Sequence, residues 1–129
     1  MTSPRQGEIW YVNLDPTVGV EIKKARPVVV VSSDALNSPQ WKMRIVIPCS
    51  AWQERFEDKF FKVMIPADHE TGLKKPSAAI VLQVRSISVD RFQDRLGRVA
   101  NETLQELLAG VVLGIDYQPL TARVDLSGR

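Results

Sequence analysis

PVVVVS, residues 27–32, is an unbroken valine run of strand length. A solvated strand alternates apolar with polar residues, so a run without alternation reads as a central strand buried on both faces or against a second layer. On its N-terminal side, residues 7–14 (GEIWYVNL) are aromatic and β-branched and stop at Asp15-Pro16, a turn signal, which predicts a first strand. The intervening TVGVEIKKAR, residues 17–26, reads as a loop. On the other side, residues 43–51 (MRIVIPCSA), 59–65 (KFFKVMI) and 78–88 (AAIVLQVRSIS) predict three more strands, about five in all.

The hydrophobic period changes near the C-terminus. Leu104, Leu107, Leu108, Val111 and Ile115 follow helical spacing, Asn101 is the expected cap, and Glu102 sits in the first turn. Gly110 and Gly114 each cost roughly 1 kcal/mol relative to alanine, yet allow another element to approach closely. The expectation is a mainly β fold with a C-terminal helix: a small, strongly curved antiparallel sheet or barrel, with the helix over an open face. Residues 1–129 form one domain, since a chain this long holds a single core, and 118–129 read as a frayed tail.

Composition excludes several classes of function. Seventeen basic and 15 acidic residues leave a net charge of +2, so affinity for nucleic acid requires a local basic patch rather than bulk charge. The lone Cys49 rules out an internal disulfide and thiolate zinc clusters, and the lone His69 rules out a multi-histidine metal site. The polar N-terminus does not read as a signal peptide, and the longest apolar runs fall far short of the roughly 20 residues that span a bilayer. A cytoplasmic protein without a membrane segment is expected. No GxxxxGK[ST], GxGxxG, HExxH or CxxC occurs. What remains is a pairing of basic, hydroxyl and aromatic residues at strand ends, which suits phosphate recognition.

The order of five blocks, GEIWYVNLDPTVGVE, KKARPVVVVS, IVIPCSA, LQVRSI and RLGRVANETLQELLAGV, resembles that of MazF/PemK toxins over roughly residues 6–117. The G-x-E followed shortly by R-P-V is its most specific part. The resemblance implies an SH3-like barrel with a terminal helix, a homodimer, metal-independent endoribonuclease activity on single-stranded RNA without a cofactor, and inhibition by a cognate antitoxin. By position, Arg26 matches the family's catalytic arginine, and Ser50 stands where a catalytic threonine is usual. The chemistry implied is attack of an RNA 2′-OH on its own 3′-phosphate.

An arginine with a pKa above about 12 is a poor general base. Glu21, in the same loop as Arg26, is therefore the first candidate to take the 2′-OH proton. Trp52 is the expected stacking residue, ahead of Trp10 and Tyr11, while Lys23, Lys24, Arg44 and Arg85 form a candidate phosphate track with Gln83 beside it. His69 and Cys49 are expected to have no catalytic task. Two departures stand out: the usual G-S-E-Q reads Gly19-Val20-Glu21-Ile22, and Leu82 replaces an acidic residue common before the glutamine of the fifth strand. Two competing readings stay open. One is a non-enzymatic, CcdB-like poison that binds gyrase through the same fold, with its determinants on the terminal helix. The other is a catalytically weakened family member that binds RNA or antitoxin.

Overall fold

The computed structural model describes residues 3–54 and 61–119. Its elements are β1 (Glu8–Asn13), β2 (Ala25–Val30), β3 (Met43–Ala51), β4 (Lys62–Ile65), β5 (Ser77–Ile80), β6 (Arg85–Ser88), β7 (Phe92–Arg98) and helix α1 (Asn101–Gly114). The seven strands form one antiparallel sheet in the order β4-β5-β3-β2-β1-β7, with β6 also on β3.

The valine run lies at the centre as its composition demands. Val29 and Val31 face one apolar cluster with Ile9, Ile47, Ile65, Leu104 and Leu107, and Val28 and Val30 face a second with Trp10, Val12, Val46 and Ile87. Both faces are buried from Val28 to Val31, so alternation has nothing to distinguish there. Trp10 closes the second cluster edge-on against Phe92, ring centroids 5.6 Å apart, and donates from Nε1 to Glu8 at 2.9 Å.

The sheet bends at β3. One edge of this strand pairs through Val46, Ile47 and Pro48 with β2. The other is divided: Met43 to Val46 pair with β6, and Cys49 to Ala51 pair with β5. Between these two partners the chain makes a 3-10 turn, Val81–Gln83. The single strand expected over 78–88 is therefore two strands hinged at a turn, with Val81 buried in the core and Leu82 59% exposed.

Strand β7 was not anticipated. Its sequence, FQDRLGR, shows no apolar alternation because it is an end strand with mostly polar, exposed side chains. The start of the predicted strand over 59–65 lies outside the described residues; from Lys62 the strand is present. The helix also starts differently: Ala100 holds the cap position and Asn101 is its first helical residue. Leu104 and Leu107 are buried on the sheet as expected, but Ile115 lies beyond the helix end and is 67% exposed.

No ladder joins β4 to β7 among the described residues, so the expected barrel is open there. The 66–72 loop fills the gap. Arg98 N–H donates to Glu70 O at 2.9 Å, and two glycines allow backbone to meet backbone. A Cβ on Gly72 would stand 1.9 Å from Leu96 O, and one on Gly97 2.2 Å from Glu70 O.

Candidate active site

Beyond the Val28–Pro48 pair, β2 and β3 are no longer paired. Two residues further along each strand, at the edge of this opening, stand Arg26 and Ser50. Both line a cavity of about 490 Å³ together with Tyr11, Pro27, Cys49, Lys74, Lys75, Ser77, Asp94 and Leu96. Because Gly72 lets the loop rest on β7, the next turn carries Lys74 and Lys75 to the same cavity. The wall thus holds three cations and two hydroxyl-bearing serines on an apolar floor, groups fit to hold a phosphodiester, with the carboxylate of Asp94 beside them.

Arg26 is half-buried, and among the described residues its guanidinium makes one hydrogen bond, from Nε to Lys23 O at 3.3 Å. Its other N–H groups remain available to a ligand. The thiol of Cys49 is of a different kind: full burial pushes its pKa up to about 12, so it stays protonated and non-nucleophilic.

The 14–24 loop leading into Arg26 is tied at several points. Leu14 N–H donates to Lys24 O at 2.9 Å, and Lys24, left-handed at φ 69°, donates its N–H to Asp15 Oδ1 at 2.9 Å. Gln83 is the clasp: its Oε1 accepts from Ile22 N–H at 2.8 Å and its Nε2 donates to Val20 O at 3.1 Å. Gln83 therefore acts on the loop rather than on the cavity wall.

Several sequence-derived candidates lie elsewhere. Glu21 is exposed, does not line the cavity, and accepts the N–H of Val18 at 2.7 Å, capping its own turn. Lys23 and Lys24 are exposed in the loop before Arg26. Trp52 is half-buried just past Ser50, with its backbone N–H on Pro76 O at 3.1 Å. Arg85 is half-buried on β6, and its buried Nη1 has no hydrogen-bond partner among the described residues.

Arg44 requires correction. It is 1% exposed, and its guanidinium donates to the carbonyls of Pro4, Ser38, Trp41 and Met43 and to Ser3 Oγ. A saturated, enclosed guanidinium cannot join a phosphate track; it knits the N-terminal segment to the 38–43 turn. Sequence reading missed Lys74, Lys75 and Asp94, whose only signal was a basic pair after Gly72-Leu73 and an acid in a polar strand. His69 borders a separate cavity of about 420 Å³ that shares no lining residue with the first. Among the described residues no three His, Cys, Asp or Glu side chains converge as a metal site.

A bent sheet capped by one helix carries a cationic cavity where its central strands part, a site whose chemistry suits a phosphodiester. Residues 5–114 match the family described as PemK-like, MazF-like toxin of type II toxin-antitoxin systems, and the chain belongs to it. It is 36% identical over 114 residues to endoribonuclease MazF9 of Mycobacterium tuberculosis, covering 87% of this chain and 96% of that one. Its fold is similar to the crystal structure of MazF from Deinococcus radiodurans, with TM-score 0.76, 20% identity, and 91% and 100% of the two chains covered. It is also similar to a mycobacterial endoribonuclease solved in complex with its cognate antitoxin, with TM-score 0.66, 17% identity, and 92% and 99% covered.

Proposed function

We propose that this chain is the toxin of a type II toxin-antitoxin pair and cleaves single-stranded RNA by intramolecular transesterification at the Arg26–Ser50 cavity. The observation that carries the reading is the presence of Arg26 and Ser50 on one cationic cavity in a chain whose family match spans residues 5–114. The same match favours the nuclease over a gyrase-binding poison.

In the reaction the RNA 2′-oxygen attacks its own 3′-phosphorus and the bond from phosphorus to the 5′-oxygen breaks. The 2′ proton passes to water, and the departing 5′-oxygen takes up a proton, leaving a 2′,3′-cyclic phosphate and a 5′-OH. The substrate supplies its own nucleophile, so the protein's task is to bind and to stabilise charge. Negative charge grows on the phosphoryl oxygens in the transition state, where a fixed guanidinium fork interacts more strongly than with the ground state. Arg26 fills that role, Ser50 donates a further hydrogen bond, and Lys74 and Lys75 hold flanking phosphates.

Two partners complete the reading. Leu82 and Val20 are exposed on the two segments that Gln83 clasps, and Leu82 reaches the helix end, where a Cβ on Gly114 would lie 3.0 Å from it. This apolar ground, continued by Leu113 and Ile115, suits a second copy of the chain. An acidic antitoxin segment that folds on binding is the matching occupant of the cationic cavity.

The test is incubation of the purified protein with mixed RNA in EDTA. Fragments with 5′-OH ends are expected, whereas activity lost to chelator and restored by magnesium would refute the mechanism. Sedimentation showing only a 14.5 kDa monomer at high micromolar concentration would refute the dimer.

A further inference from the structure

A cavity built only to hold a polyanion gains nothing from a carboxylate, since like charge repels phosphate. Yet Asp94 lines this one, and it is the only acid among the lining residues. It makes no ion pair or side-chain hydrogen bond with the described residues, so no neighbouring cation has claimed it. In the register between β1 and β7 it stands opposite Tyr11, which lines the same cavity and is 36% exposed. Cross-strand partners of this kind have Cβ atoms about 5 Å apart, so an aromatic ring and a carboxylate lie side by side. Both come from paired strands, where backbone hydrogen bonds fix their positions better than a loop would.

This pair of groups suits an unpaired base. The ring offers a stacking surface to any base, and the carboxylate accepts hydrogen bonds only from a base edge that presents donors. Guanine presents two adjacent donors, N1–H and the N2 amine, which match the two oxygens of a carboxylate. Adenine and cytosine present an amine beside an acceptor. Uracil places a carbonyl on each side of its single N–H, and both repel a carboxylate.

We infer that Tyr11 and Asp94 form a base-reading subsite that selects guanine and rejects uracil at a nucleotide next to the scissile phosphate. The inference rests on the cavity being the RNA-cleaving centre, and it names what that centre reads. Tyr11 supplies sequence-tolerant affinity, and Asp94 supplies the choice.

Two measurements test it. In the first, a randomised RNA pool is cut briefly and the new 5′ ends are mapped. Wild type is expected to favour guanine over uracil by about 10-fold or more at one position flanking the cut, the discrimination of a good bidentate contact. Asp94→Asn keeps the shape but replaces one acceptor with a donor. It should reduce the guanine-over-uracil preference below about 3-fold. Tyr11→Leu should weaken RNA binding and leave the order of bases unchanged. The second measurement is binding of short 2′-deoxy oligonucleotides, which lack the attacking hydroxyl. A strand carrying dG should bind about 10-fold tighter than the same strand carrying dU, and Asp94→Asn should abolish the difference.

Cleavage without base preference at either flank overturns the subsite. So does an Asp94→Asn variant that loses cleavage on every sequence and loses the acid limb of the pH–rate profile, which would make Asp94 the general base. Should wild type bind dG selectively but cut no RNA, the subsite stands and the proposed activity falls.

Discussion

Arg26 and Arg44 are the same side chain on adjacent strands in opposite surroundings. Arg44 is enclosed, and carbonyls from three parts of the chain take up its N–H groups. Burial draws its pKa below the ordinary guanidinium value, against the pull of Asp34. Arg26 stands where two strands part and donates one described hydrogen bond. Arg95 is intermediate, its Nε 2.9 Å from the carboxylate of Glu8. Hydrogen-bond saturation, more than sequence context, separates an arginine that holds a fold from one with N–H groups left to meet a ligand.

The largest effect is expected at the unsaturated arginine. Arg26→Lys keeps the charge and loses the planar fork, so the single-turnover rate should fall by about 10²-fold or more while the RNA dissociation constant stays close to wild type. A wild-type rate, or a loss that merely tracks lost binding, would refute the catalytic assignment.

Arg44→Met should do the reverse. It orphans several carbonyls, so urea unfolding should show a loss of about 2 kcal/mol, with cleavage per folded molecule unchanged. Reduced cleavage in fully folded protein would return Arg44 to the RNA path.

Gln83→Ala removes two bonds to the loop that leads into Arg26, each worth about 1 kcal/mol. Cleavage should slow by up to about 10-fold, and protection of the Ile22 amide from hydrogen exchange should drop.

The smallest effect concerns the paired arginine. Burial raises the pKa of Glu8, but hydrogen bonds from Trp10, the Arg5 backbone and Arg95, with the Arg95 charge, outweigh it and hold the carboxyl below its ordinary 4.5. A depressed carboxyl contributes stability that is fully present above pH 4.5 and is lost as pH falls through the lower folded value. Glu8→Gln should therefore unfold more readily at neutral pH, by about 0.5–1 kcal/mol, and lose less on acidification. An acid transition unchanged by the substitution would exclude Glu8 as a contributor.

The sequence showed clearly those elements whose burial was one-sided or complete. The valine strand and the Leu104–Leu107 helix face carry periodicities that only burial explains, and the RPV block pointed to Arg26. Strand β7 escaped because an end strand with exposed faces needs no apolar pattern. Arg44 was misread because an arginine on a strand looks the same whether its fork is in water or among carbonyls. Asp94 reaches the cavity through the β1–β7 pairing opposite Tyr11, and Lys74 and Lys75 reach it through the Gly72–Leu96 crossing, a contact between residues 24 apart in sequence; no local pattern encodes either.

That crossing also governs whether the chain stays solitary along its sheet. An end strand with bare amide and carbonyl groups is a template on which another chain can add a strand, and proteins guard such edges with bulges, charges or a covering loop. Here the guard is the segment that Gly72 allows to lie against Leu96. A single methyl there would lift the cover and leave β7 open to recruit its own copies. The damage would appear first as insoluble protein, before any change in rate could be measured.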